Sequence, residues 1–327
     1  MAAGTRQNVA VPTIDLPLQQ LRNYTPEPSE PADFEQFWER TISAARKVPL
    51  DIELGPPATK LAGVRAHQVR FSGLGGARIS GWYVRPQGTG PFPGVAHYHG
   101  YGGRGPRPLE LYPLAAQGVA TLSMDCRGQA GDAADIPPED GGHYAGWLTR
   151  GLAGPETYYY RYVFTDAVRA LDALASLDEV DGERLAVTGV SQGGGLALAV
   201  AALSGRASFV WSDIPFLCDF PRAVAVATQA PYTELPQFLR THPELNDVAF
   251  QTLAYFDVAN HAPRLTCPAY VTVGLLDETC PPSTIFGTFA RVASSEKELV
   301  VLPYHGHDLT YEVGERRLQE LVSRLSP

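Results

Sequence analysis

The chain has 327 residues, 44% of them hydrophobic and 19% charged, enough to bury one large α/β core or two small ones. Twenty-six Lys and Arg against 35 Asp and Glu leave a formal charge of −9, and no basic run appears. Nucleic acid and anionic membrane surfaces are therefore poor partners. The 32 glycines and 28 prolines fall in segments of ordinary complexity, so they read as ordered loops, not disorder.

Residues 1–13 lack the apolar core of a signal peptide and no run reaches membrane-spanning length, so a cytoplasmic chain is expected. Residues 1–50 read as an N-terminal arm. In it Pro26, Pro28 and Pro31 lead into a helix that starts at Asp33 and carries Phe34, Phe37 and Trp38 on one face. Asn23-Tyr24-Thr25 fits a glycosylation acceptor, which without a secretion signal is a chance match. Residues 65–72 and 78–85 form a hairpin across a Gly-rich turn. From Pro93 onward apolar strands at 93–98, 119–125, 184–188, 208–213, 268–274 and 298–302 alternate with helical or looped segments. That is the pattern of a mostly parallel sheet flanked by helices, in a single α/β domain over 1–327. Two insertions interrupt it: 129–155, without periodicity, and 215–262, with helical pieces around 222–228 and 234–241. Both are expected near the mouth of a site or at an oligomer contact. Cys126, Cys218, Cys267 and Cys280 have no paired spacing and read as reduced, buried thiols.

Gly189-Val190-Ser191-Gln192-Gly193 carries the most chemistry. The apolar run 184–188 precedes it, and 196–203 after it is a strong helix former that can be buried nearly all round. A Ser at such a strand-to-helix corner sits in a strained turn. Small residues at the two Gly positions let neighbouring backbone pass, and the hydroxyl projects above the sheet edge as a nucleophile for acyl transfer. The bland alternative is an ordinary glycine-rich helix start.

A serine hydroxyl needs a base, and the base an acid that fixes its tautomer. In the α/β-hydrolase order, Ser is followed by the acid and then His on loops after late strands. Asp277 follows the buried strand 269–274 and His307 follows the strand 298–302, so both fall where acid and base belong. His305 competes with His307, and Asp277 has a second reading as a cap ahead of Pro281-Pro282. His261 reads as a plain surface residue. One oxyanion donor is expected from the N–H of Gln192 and the other from Tyr101, in the glycine-rich loop after an early strand. Gly100-Tyr101-Gly102-Gly103-Arg104-Gly105 also fits a dinucleotide fingerprint, with Asp125 about 20 residues on. Against that, Pro106 and Pro108 disfavour a regular helix right after the glycines. The pairs His97-x-His99 and His305-x-His307 lack accompanying acidic or Cys ligands, so neither metal nor organic cofactor is expected.

Taken together, several motifs resemble the acetyl xylan esterase / cephalosporin C deacetylase family, carbohydrate esterase family seven. They are Arg127-Gly128-Gln129, Gly189–Gly194, Gly306-His307-acid, Tyr158-Tyr159-Tyr160-Arg161, Pro215-Phe216-Leu217-Cys218 and Cys280-Pro281-Pro282-Ser283-Thr284. The resemblance spans residues 14 to about 310. It implies an α/β-hydrolase that deacetylates sugars and similar alcohols. By matching position Ser191 is the nucleophile, Asp277 the acid and His307, not His305, the base, with Tyr101 and Gln192 amides as oxyanion donors. Arg127, Gly128 and Gln129 match a signature whose implied role is structural, with an Arg anchoring loops beneath the site. Members are cytoplasmic rings of six whose sites face an inner cavity, so a homohexamer acting on small acetylated substrates is implied. The family's His-Glu is His307-Asp308 here, which keeps the charge but can alter loop shape and leaving-group preference. The other readings are a deacetylase of a secondary metabolite, a nicotinamide-dependent oxidoreductase using 100–105, and a non-catalytic binding protein on the same fold.

Overall fold

The apolar runs pair into one nine-stranded sheet of order β1-β2-β3-β5-β4-β6-β7-β8-β9. The computed structural model describes residues 12–27, 29–58, 60–135 and 142–326. The strands are β1 (Glu53–Pro57), β2 (Val64–Ser72), β3 (Arg78–Pro86), β4 (Phe92–Tyr98), β5 (Ala120–Met124), β6 (Val180–Val190), β7 (Phe209–Asp213), β8 (Ala269–Gly274) and β9 (Lys297–Leu302). β2 and β3 form the expected hairpin, with Ser72 opposite Arg78, and β3 pairs antiparallel with β5. From β5 to β9 every pairing is parallel. β1 was not legible, because Gly55, Pro56 and Pro57 read as a breaker. It is the outermost strand, where a missing N–H is tolerated.

In chain order the helices are α1 (Leu18–Leu21), α2 (Phe34–Arg46), α3 (Pro108–Ala116), α4 (Tyr159–Ala175), α5 (Gln192–Ser204), α6 (Phe220–Val226), α7 (Glu234–Thr241), α8 (Asn246–Ala254), α9 (Val258–His261), α10 (Pro282–Arg291) and α11 (Tyr311–Leu325). α4, α5 and α10 cover one face of the sheet, with α9 packed on α5 and α10, and α3 and α11 cover the other. Side chains alternate between these layers: Ala96 and Tyr98 of β4 join the core under α4 and α5, while Val95 joins the core under α11. α5 is apolar on every side and is buried over most of its length, as its sequence implies. No helix among the described residues is long and apolar enough to cross a membrane.

Residues 103–107 form no helix, as Pro106 implies, and α3 begins only at Pro108, whose missing N–H and fixed φ suit the first turn of a helix. Two local expectations need correction. His261 is not a surface residue. It is fully buried, its ring lies 4.9 Å from Phe34 and 5.3 Å from Trp38, and its Nε2 reaches the Tyr255 carbonyl at 3.1 Å. The second insertion is also more helical than its sequence implied, since α8 and α9 follow α6 and α7. The described part of 129–155 holds no helix or strand, in line with its lack of periodicity, and 136–141 lie outside the described residues.

The arm is strapped to the late loops. The Ile14 amide donates to the Leu275 carbonyl at 3.3 Å, and Asp15 accepts from Arg222 and, at 2.9 Å, from the Ser283 amide. Tyr24 donates to Asp219 at 2.7 Å. These contacts tie the arm to the start of the loop after β8, to α10 and to the start of α6.

Candidate active site

At the carboxyl end of β6 the chain turns into α5 through Ser191, whose φ of 56° and ψ of −117° are strained for a residue with a Cβ. The flanking glycines are required by close approach. A Cβ on Gly189 would lie 2.4 Å from the Gly193 carbonyl, and one on Gly193 would lie 2.0 Å from the Tyr98 carbonyl. The corner is held by the Ser191 amide donating to the Asp213 carbonyl at 2.9 Å. The Ser191 carbonyl accepts from Gly195 and Phe216, both at 3.0 Å.

The loops after β8 and β9 converge on this corner. The Leu276 amide donates to the His305 carbonyl at 2.9 Å, and a Cβ on Gly274 would meet the Gly306 carbonyl at 2.3 Å. In this arrangement His307 Nδ1 lies 2.8 Å from Asp277 Oδ2 and Nε2 lies 3.0 Å from Ser191 Oγ. The buried carboxylate accepts the Nδ1 proton, which leaves the Nε2 lone pair for the serine proton. Asp277 also accepts the Thr279 and Cys280 amides on Oδ1, at 2.9 and 2.8 Å. These two bonds close the turn ahead of α10, whose N-cap is Pro281 without a side-chain cap, so Asp277 does not cap that helix. His305 points elsewhere, with Nδ1 2.7 Å from Asp308 Oδ2; the other Asp308 oxygen accepts the Gly306 amide at 2.9 Å.

The loop after β4 lies against the serine corner: a Cβ on Gly100 would sit 3.8 Å from Ser191 Cβ. His99 fixes this loop. Its Nδ1–H donates to the Gly100 carbonyl at 2.7 Å and its Nε2 accepts the Cys126 amide at 2.9 Å, a neutral tautomer that burial favours by lowering the imidazole pKa. No described residue accepts a hydrogen bond from the Tyr101 amide. The Tyr101 hydroxyl donates to Glu234 at 2.9 Å and accepts from the Trp147 and Leu148 amides, the latter at 3.0 Å. Glu234 belongs to the second insertion, and Trp147 and Leu148 to the first, so both insertions clasp this tyrosine. Burial raises the Glu234 carboxyl to about 7.

The signature 127–129 ties these parts together. Arg127 forms a buried ion pair with Asp166 and donates to the Leu74 carbonyl at 2.6 Å. Gly128 turns the chain at φ 61°. The Gln129 Oε1 accepts the Gly102 amide at 2.9 Å, while its Nε2 donates to Gln192 Oε1 at 2.9 Å. Gln129 thus links the loop after β4 to the residue after Ser191, a role that its position in the sequence did not reveal.

Cys280 was also missed. Its thiol lies within 4.8 Å of the ligand atoms of Asp277 and His307, and burial raises its pKa well above the ordinary value. This is the one group of three potential metal ligands among the described residues, and two of its members are already bonded to each other. The histidine pairs 97/99 and 305/307 do not form such a group. In the dinucleotide reading Asp125 would hold a ribose. Instead it faces inward, where Oδ1 accepts the Gly105 amide at 2.8 Å and Oδ2 the Asp132 amide at 3.1 Å.

A family model described as acetyl xylan esterase matches residues 11–325. The acetyl esterase Axe7A of Xylanibacter ruminicola is 29% identical over 308 residues, which are 89% of this chain; the chain spans 66% of the length of that relative. The acetyl xylan esterase from Paenibacillus sp. R4 superposes with a TM-score of 0.90 at 37% identity, covering 94% of this chain and 99% of that one. Acetyl xylan esterase 1 from Thermoanaerobacterium sp. JW/SL YS485 gives 0.90 at 34% identity, covering 95% and 100%. A mostly parallel sheet with a strained serine corner, late Asp and His loops and a match over nearly its whole length place the chain in the acetyl xylan esterase family, carboxylic ester hydrolases of α/β-hydrolase fold.

Proposed function

We propose that the chain is a serine esterase that removes acetyl groups from short acetylated xylo-oligosaccharides and other small acetyl esters. The observation that carries this reading is the hydrogen-bond chain from Ser191 Oγ through His307 to Asp277. His307 Nε2 takes the serine proton as Oγ bonds to the acetyl carbonyl carbon. The tetrahedral oxyanion is held by the Gln192 and Tyr101 amides. His307 then returns the proton to the leaving alcohol as the C–O bond breaks, and Asp277 stabilises the transient imidazolium. Water repeats the sequence on the acetyl-serine and releases acetate. Atoms and protons balance with the chain's own side chains and water.

Gln129 and His99 support this chemistry from behind. They fix Gly102 and Gly100 on either side of Tyr101, and a donor displaced by about 1 Å can lower turnover on the order of 100-fold. The Asp308 carboxylate holds His305 and Gly306, which keeps the His307 loop shaped where the family's longer Glu would stand.

The experiment is an acyl series and an alcohol panel. Turnover of 4-nitrophenyl acetate should exceed that of the hexanoate by at least ~10-fold; equal rates would reject acetyl preference. Acetylated xylo-oligosaccharide, cephalosporin C and simple acetylated alcohols then separate the sugar reading from a secondary-metabolite deacetylase. A homohexamer in the cytoplasm is part of the same proposal, supported by the family resemblance. A particle mass near six chains by light scattering is its expected outcome, and a monomer would reject it.

A further inference from the structure

On the face of the sheet away from α5, a cavity of about 490 Å³ lies between α3 and α11. Its floor is His97 of β4 and Thr188 of β6, which are register partners on adjacent parallel strands. His97 Nδ1 and Thr188 Oγ1 are both buried and have no hydrogen-bond partner among the described residues. A buried polar atom without a partner carries its full desolvation penalty, and two side by side at the foot of one cavity are uncommon. Burial and the nearby Arg317 lower the His97 pKa to about 3, so the imidazole is neutral and offers one donor and one acceptor.

The walls are hydrocarbon: Leu111 and Leu114 from α3, Leu318 and Leu321 from α11. Tyr311 at the rim is 81% exposed. Gly314, also lining the cavity, stands inside α11 where glycine is a poor helix former, yet a Cβ there would meet nothing within 4 Å. Packing does not demand this glycine; it leaves the wall open. The lining cation, Arg317, is paired with Asp213, and Glu110 and Glu315 also border the cavity. An anion would meet two carboxylates, and an ammonium ion would meet Arg317 beside a neutral imidazole.

We propose that this cavity is a second, non-catalytic binding site for an uncharged amphiphile, with an alcohol-type hydroxyl on His97 and Thr188 and a hydrocarbon body between the leucines. A hydroxyl both donates and accepts, which complements the imidazole and the threonine together. The assignment stands on the cavity itself and is independent of which ester the serine corner hydrolyses.

The test is titration calorimetry of the full chain with 1-hexanol, hexanoate and hexylammonium, in parallel with the Gly314→Leu and Thr188→Val variants. Wild type should bind one 1-hexanol per chain saturably, and each charged analogue at least ~10-fold more weakly. Gly314→Leu, which fills the cavity from a site with free space and favours the helix, should abolish the binding while the rate on 4-nitrophenyl acetate stays unchanged. Thr188→Val keeps the shape and should weaken binding on the order of 5-fold. Absence of saturable binding to wild type would overturn the proposal and assign the two floor atoms to a bridging water. Undiminished binding to Gly314→Leu, or equal binding of the charged analogues, would overturn it as well.

Discussion

Replacing Arg127 by Met is a severe test of how the signature holds the site. Arg127 and Asp166 each have side chains only 1% exposed. The guanidinium donates twice to Asp166 and once to the Leu74 carbonyl, and stacks 5.1 Å from the Tyr162 ring. Asp166 accepts the Leu74 amide at 2.8 Å. Burial raises the Asp166 carboxyl and Arg127 opposes that rise. Met fills much of the volume but leaves the carboxylate buried without its cation, which costs roughly 3–5 kcal/mol. That is a large share of a typical stability of about 5–15 kcal/mol. Urea unfolding should report this loss, with a fall in Tm on the order of 5–10 °C. In a double-mutant cycle Arg127→Met/Asp166→Asn should recover about 2 kcal/mol of the summed losses, since Asn can still accept the Leu74 amide. Additive losses, or a Tm within about 1 °C of wild type, would refute the buried-pair reasoning.

Three other outcomes follow from the same geometry. Gly193→Ala puts a Cβ 2.0 Å from the Tyr98 carbonyl, so it should destabilise by roughly 1–3 kcal/mol in urea unfolding and lower kcat on the order of 100-fold. Asp277→Asn removes the acceptor that fixes the His307 tautomer and should lower kcat by about 10³–10⁴ without unfolding the chain, as stopped-assay kinetics and circular dichroism would report. Glu234 is an acid whose folded pKa, about 7, lies above its unfolded value. The native state therefore holds this proton more tightly, and the carboxyl's contribution to stability falls as pH rises from about 4.5 to about 7. Glu234→Gln, still an acceptor for Tyr101, should gain on the order of 1–2 kcal/mol over wild type across that window, after allowance for solvent screening. A pH-independent difference in Tm between the two would contradict the buried carboxyl.

The sheet was legible because its strands are short apolar runs with breakers between them, and strand ends alone order Ser191, then Asp277, then the histidines 305 and 307 along the chain. What stayed hidden depends on convergence in three dimensions. Strand ends left His305 and His307 open and only the family resemblance chose His307; in the structure Asp308 takes one imidazole and Asp277 the other. His261 reads as polar surface in Asn260-His261-Ala262, yet the aromatic face of α2, some 220 residues away, and Phe164 of α4 bury it. α3 was obscured by its own prolines: Pro108 suits its first turn, but Pro113 stands inside the helix, where proline usually breaks one. Gln129 was marked by its signature but not for what it bonds, and Glu234 and Cys280 were not singled out at all, because their partners lie on other segments of the chain.

The central claim is tested most directly by Ser191→Ala assayed on 4-nitrophenyl acetate, alongside mass spectrometry of wild type labelled with a fluorophosphonate. The account predicts a loss of turnover on the order of 10⁶ and a single adduct on the peptide that carries Ser191. Near-normal turnover by the variant, or an unlabelled Ser191 in active wild type, would contradict it.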